Sequence, residues 1–210
     1  MRMGWYARWV FPRLMDRFLG SWEVGAERRR ALAPARGETL EIGFGTGLNL
    51  PFYPGNVTQL TVLDPEEMLA ERVRSRIAAA PFPVSQWRLD AQGRLPFRDG
   101  QFDTVVTTFT LCTIPDLRAA LAEMRRVLHP KGMLLFLEHG RSDSAAVARW
   151  QDRLNPLQNR LGAGCHLNRP IDQFLREAGF LLPKLERTQL ARAPAVLGEL
   201  YRGVAVSGEQ

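Results

Sequence analysis

The sequence predicts a doubly wound α/β domain built on a mainly parallel sheet, with a helical lead-in at its N-terminus. Three observations carry that expectation. From Glu38 onward short β-branched runs alternate with segments of helical period, the first of those runs ends in a glycine-rich turn, and 210 residues suit a single domain.

The elements follow in order. Residues 1–33 read as helical, with Trp5, Trp9, Phe11, Leu14 and Phe18 forming an apolar stripe between arginines. Pro12 is expected to kink or divide that segment. Residues 39–42 form a short strand ending in glycines, and residues 59–63 form a second strand. Asp64-Pro65-Glu66-Glu67 then reads as a helix start, with an N-cap, proline at the first position and acids in the first turn. Leu69, Val73 and Ile77, at spacing four, mark the helix itself. Residues 84–89 and 102–108 (FDTVVTT) are the third and fourth strands. Leu117, Ala120, Leu121, Met124, Val127 and Leu128 share one helical face. Pro130-Lys131-Gly132 breaks that helix before the apolar strand 133–137. Residues 142–162 read as an irregular helix, 171–178 as a short helix ending at Gly179, and 181–188 with 201–206 as a closing pair of strands.

Composition narrows the class. Hydrophobic residues make up 45% and charged residues 24%, as in an ordinary globular chain. No apolar run approaches the roughly 20 residues of a membrane span. Arg2, Arg8, Arg13 and Arg17 interrupt every apolar stretch that a signal peptide would need, so the expected location is cytoplasmic. The basic, aromatic N-terminal segment leaves peripheral contact with a membrane surface as a second expectation. Net charge is +6 and nearly all of the positive charge is arginine spread along the chain, which reads as a solvated basic surface. Cys112 and Cys165 show no ligand spacing, and His129, His139 and His166 are scattered, so neither a metal site nor a disulfide is expected.

The chemistry sits in Glu41-Ile42-Gly43-Phe44-Gly45-Thr46-Gly47, at the carboxyl end of the first strand. Alternate glycines allow a sharp turn and let a ligand lie against bare peptide groups. A dinucleotide pyrophosphate is one candidate ligand. Against it, the spacing is GxGxG without the third glycine of that fingerprint, Leu48 and Pro51 follow closely, and Glu41 stands where a pyrophosphate would be repelled. Asp64, ending the second strand, suits the hydroxyls of a ribose and equally suits an N-cap.

Taken together, LEIGFGTG, the strand-end LDP, the pair Asp90-Ala91, the run LPFRDGQFDTVV and the run RVLHPKGMLLFLEHG resemble the successive motifs of class I S-adenosylmethionine (SAM)-dependent methyltransferases, in the same order, over residues 38–140. LCTIPD, the EHG after the fifth strand and GCHLNR are similar to the methyltransferase-like 7 (thiol methyltransferase) branch and its bacterial relatives. YARWVFPRLMD resembles the lead-in helix of bacterial phospholipid N-methyltransferases. The thiol branch carries an N-terminal membrane-anchoring stretch that residues 1–33 do not match.

The resemblance implies a Rossmann-like domain with 1–33 as lead-in or lid, 38–140 as cofactor-binding core and 141–210 on the substrate side. It implies SAM as cofactor. Gly43, Gly45 and Gly47, with Thr46 between them, would pass under its methionine part, and Glu41 would hold the loop or approach the amino group. Asp64 would take the ribose hydroxyls, Pro65 and Met68 would flank the adenine, and Asp90 and Ala91 would bond it. Thr108, Phe109 and Cys112 would stand at the rim between cofactor and acceptor, with Tyr6 closing over. Each has a plainer role as cap, turn or core residue, and for Cys112 that of a small buried hydrophobe.

Methyl transfer is an in-line displacement on an already electrophilic carbon, so positioning supplies most of the acceleration. A thiol or hydroxyl acceptor also benefits from a base, for which His139 and His166 are the candidates. TFTLCT stands where nucleic-acid base methyltransferases carry NPPY or DPPY, and no Pro-Cys nucleophile occurs, so no specific nucleic-acid partner is expected. The expected acceptor is a small molecule, first a thiol, then a lipid amine or a quinone-type ring. A nucleotide-dependent oxidoreductase and a non-catalytic SAM- or RNA-binding module are the competing readings.

Overall fold

A computed structural model of the protein describes residues 11–66 and 69–208. Helices α1 (Phe11–Leu19) and α2 (Trp22–Leu32) lead into β1 (Gly37–Ile42), β2 (Val57–Leu63), α3 (Ala70–Ala78), β3 (Val84–Trp87) and β4 (Phe102–Thr108). There follow α4 (Leu117–Val127), β5 (Leu128–His139), α5 (Ala145–Leu161), α6 (Ile171–Glu177), β6 (Phe180–Gln189) and β7 (Glu199–Ser207). The described strands form one sheet in the order β3-β2-β1-β4-β5-β7-β6. Its first five strands are parallel, and β7 runs antiparallel between β5 and β6.

The central strands are apolar on both faces because helices cover both faces. Val105 and Val106 show the alternation. Val105 faces one core with Leu40, Phe136, Leu121 and Met124, while its neighbour Val106 faces the other with Leu60, Leu135, Leu32 and Val73. The doubly wound architecture and the closing strand pair agree with the sequence expectation.

Some details differ. The lead-in divides at Gly20-Ser21, and Pro12 lies inside α1. Of the apolar stripe, Leu14 and Phe18 are exposed. Trp5, Trp9 and Tyr6 lie outside the described residues, as does Met68. The helix expected from Asp64 begins instead at Ala70, after Leu69 in a left-handed conformation and without a side-chain cap. Asp64 does not cap α3; its carboxylate is divided between the N–H groups of Gly45 in the glycine turn and of Glu66. Strand β3 ends at Trp87, paired with Leu63, because its sole ladder partner β2 ends there. Strand β5 starts at Leu128, earlier than expected, since the turn at 130–132 bends within the strand. In α5, Pro156 accounts for the irregular pattern.

Candidate active site

In a doubly wound sheet, ligands bind beyond the carboxyl ends of the strands where the chain switches direction along the sheet. That point lies between β1 and β4, and the sequence motifs converge on it. Gly43, Gly45 and Gly47 all adopt positive φ (77°, 56° and 77°). A Cβ on Gly43 would lie 2.0 Å from Thr110 Oγ1, and one on Gly47 would lie 2.9 Å from the Phe44 ring. Two of the three glycines therefore admit neighbouring protein side chains. The third, Gly45, donates its N–H to Asp64 Oδ2 at 2.7 Å, while Asp64 Oδ1 accepts from the N–H of Glu66 at 2.9 Å. Burial raises the Asp64 carboxyl above its usual range, against those two hydrogen bonds. The glycine turn and the Asp64 carboxylate, an acceptor, are thus held against each other at the carboxyl ends of β1 and β2.

A buried network fixes the turn from below. Glu41 accepts from Asn49 Nδ2 and from the Tyr53 hydroxyl, both at 2.8 Å. Asn49 and Arg28 each donate to Thr108 Oγ1 at 2.9 Å. Burial pushes the Glu41 carboxyl up to about 7, opposed by the bonds from Tyr53 and Asn49 and by the Arg28 charge. Burial likewise lowers the Arg28 guanidinium to about 10. From the other side α1 clamps the turn: Asp16 accepts from Thr46 Oγ1, Arg72 and Arg76, and Arg76 also donates to the Thr46 carbonyl at 2.6 Å. Arg28, Asn49 and Asp16 were not singled out by the sequence, since each reads as an ordinary polar residue between apolar ones.

At the neighbouring strand ends, Thr108 is followed by Phe109 at φ 55°, an uncommon conformation for a bulky residue and a mark of local strain. The next two N–H groups, of Thr110 and Leu111, donate to the buried carboxylate of Glu138. Asp90 accepts from the backbone and side chain of Gln92, and Ala91 is buried in the core beside it. The Pro65 carbonyl accepts from Arg88 Nε at 3.2 Å.

Residues 162–169 fold back over this edge. Arg169 Nη1 donates to the carbonyls of Leu111 and Ile114, and the His166 N–H donates to the Cys112 carbonyl at 2.9 Å. The His166 ring lies between Asn155 (3.3 Å) and Asn159 (3.1 Å), so both its nitrogens are engaged. His139, ending β5, differs: Nδ1 lies 3.8 Å from Cys165 Sγ, and Nε2 is buried with no partner among the described residues. Cys165 Sγ lies 3.5 Å from Cys112 Sγ. The Cys112 contact, with His139 behind it, holds the Cys165 thiol down at about 5, whereas the same contact and burial push Cys112 up. The fold thus brings together two cysteines and a histidine whose linear spacing gave no sign of a cluster.

Residues 40–136 match the model of the methyltransferase domain family. The chain is 34% identical over 173 residues to thiol S-methyltransferase TMT1B of Homo sapiens, covering 81% of this chain and 68% of that protein. It is 33% identical over 160 residues to phosphatidylethanolamine N-methyltransferase of Cereibacter sphaeroides, covering 75% and 77% respectively. Across the human and rat thiol S-methyltransferases the matched stretch spans 61–68% of their length. Among solved structures, the complex of the Haloferax volcanii Trm112 methyltransferase activator with a putative methyltransferase contains a chain of similar fold, at a TM-score of 0.71, 16% identity and 97% coverage of this chain and 96% of that one. No helix among the described residues is long and apolar enough to cross a membrane. With the glycine turn, the strand-end carboxylate and the switch-point geometry, these likenesses set the dinucleotide reading aside: the chain belongs to the SAM-dependent methyltransferases.

Proposed function

We propose that the protein methylates small thiols. The observation that carries this reading is the corner formed by Cys112, His139 and Cys165 at the carboxyl edge of β4 and β5, next to the strained Phe109 turn. SAM supplies an electrophilic methyl group when bound. Gly43, Gly45, Thr46 and Gly47 would lie along its methionine part, with Glu41 holding that loop through Asn49 and Tyr53. Asp64 would accept from the ribose, Pro65 and Met68 would flank the adenine, and Asp90 and Ala91 would bond its edge. Thr108, Phe109 and Cys112 form the rim toward the acceptor. Of the two candidate bases, His139 is favoured, because its Nε2 is unpartnered while both nitrogens of His166 are engaged by asparagines. His166 then acts as a brace for the loop that carries Cys165. The thiol S-methyltransferase relatives support the choice of acceptor.

A lipid-amine acceptor is the second reading, favoured by one surface feature. Leu14, Phe18 and Trp22 are exposed beside Arg13 and Arg17, and with Leu190 and Ala193 they border a groove of about 390 Å³. The groove floor, Val24 and Leu190, packs against Phe109, which links it to the acceptor rim. The deciding experiment supplies methyl-labelled SAM with a panel of small thiols, phosphatidylethanolamine vesicles and phenols, and follows the label by mass spectrometry. Label in thiols supports the reading. Label in vesicles or phenols alone replaces it.

A further inference from the structure

The proposed base uses one nitrogen of His139 and assigns no chemistry to the two sulfur atoms beside it. Cys112 is 2% exposed and His139 6%, so neither is a surface group. Their ligand atoms and that of Cys165 all lie within 4.8 Å of one another. Cores do not require such a grouping, since a cysteine packed as a hydrophobe needs no second thiol and no imidazole. A soft or borderline cation requires just this donor set.

The distances fit. A tetrahedral zinc ion, with bonds of about 2.3 Å to sulfur and about 2.0 Å to nitrogen, sets two sulfurs about 3.8 Å apart and sulfur about 3.5 Å from nitrogen. The observed separations are 3.5 Å between the sulfurs and 3.8 Å from Cys165 Sγ to His139 Nδ1. The three ligands come from separate places, the loop after β4, the end of β5 and the loop after α5, each held by its own bonds. Glu138 fixes the first through the N–H groups of Thr110 and Leu111. Arg169 and the His166 N–H tie the third to the first. Two thiolates balance a divalent charge, which a buried site needs. Three protein ligands leave one tetrahedral position for a small molecule, the pattern of catalytic rather than structural zinc sites.

We propose that Cys112, His139 and Cys165 bind one zinc-class cation whose fourth position receives the acceptor thiol. The second half rests on the thiol reading of the function, and in the loaded protein it makes His139 a ligand instead of a base. A thiol bound to such a cation enters as thiolate, its proton passing to solvent. Its sulfur lone pair forms the new bond to the methyl carbon as the methyl–sulfonium bond breaks. The electrons of that bond stay on the donor sulfur, leaving neutral S-adenosylhomocysteine and a neutral thioether.

The test uses the full chain, stripped with a chelator under reducing conditions and titrated with Co²⁺ and then Zn²⁺. One equivalent of Co²⁺ should give a sulfur-to-metal charge-transfer band and tetrahedral d–d bands, abolished by added Zn²⁺ and absent in Cys165→Ser and His139→Ala. Cys112→Ala keeps the core volume if Cys112→Ser fails to fold, and a parent-like circular dichroism spectrum with a cooperative thermal melt reports that each variant is folded. No band at one equivalent, or a band that persists in Cys165→Ser, overturns the site. Labelling separates the two readings. A cobalt band with no methylated thiol keeps the metal site and sinks the thiol function. Thiol methylation undiminished by the chelator, with no band, sinks the metal site and keeps the function.

Discussion

Gly43 is set by a neighbour and by its own backbone. Its φ of 77° is open to glycine and costly for any other residue, and Thr110 fills the space a side chain would need. Gly43→Ala should therefore lose about 1–2 kcal/mol from backbone strain alone, and more from displacing Thr110. Thermal melts with and without SAM check this: the variant should melt lower and show a SAM-induced shift much smaller than that of the parent protein. Glu41 gives a second residue-scale prediction. Its carboxyl titrates near 7 in the fold against an ordinary value of 4.5, so between those values the folded chain holds more protons than the unfolded chain. Stability should fall as pH rises through that window and level off above it. Glu41→Gln should flatten Glu41's share of that slope, as read by denaturant unfolding at pH 5, 6, 7 and 8. A slope equal to that of the parent protein would remove the buried-carboxylate account. Glu138, raised to about 7 by burial, contributes in the same direction and leaves a residual slope.

Elements were read from sequence with unequal success, and the reasons are local. Strands β1 and β2 were legible because their apolar, β-branched runs end in glycine and aspartate, and β4 because its own run is strongly β-branched. The start of α3 was misread because Asp64 makes the local bond of a cap, to the Glu66 N–H, without a helix beginning there, and its other oxygen serves a tertiary partner, the Gly45 N–H. The glycine turn and Asp64 were visible as a motif. The cysteine pair was not, since 53 residues separate the two thiols and only the folded loop after α5 brings them together. Arg28 and Asp16 were hidden for a related reason: a charged residue on an amphipathic helix looks solvated until the helix is docked. Helix α1 is docked through Asp16, which burial alone would push up and which Arg76, Thr46 and Arg72 instead hold below its ordinary range. Asp16→Asn should cost about 1–3 kcal/mol, the range for a charged hydrogen-bonded group. Limited proteolysis is the readout. The cut should move into residues 11–19, and SAM should protect the variant less than the parent protein.

Over the whole molecule the net charge is positive, and at the groove beside α1 Arg17 and Arg192 stand with exposed apolar side chains. The net charge is +6, and Trp22 stands 75% exposed beside Phe18 and Leu14. Binding to vesicles containing anionic lipid should weaken several-fold between about 0.05 M and about 0.5 M salt, as a screened attraction does. The double variant Phe18→Ser/Trp22→Ser should lower binding at both salt levels, measured by vesicle co-sedimentation. Equal binding to neutral vesicles would show that charge plays no part.

The position of β7 has a kinetic consequence. Residues 199–207 lie between β5 and β6, so an interior strand is synthesised after all the other described strands of its sheet. Until those residues leave the ribosome, the His139 end of β5 is an unpaired edge carrying the apolar run Leu134–Phe136. A nascent chain in that state offers an open template to any other strand. Its dependence on chaperones should be greatest in the interval between completing β5 and releasing β7.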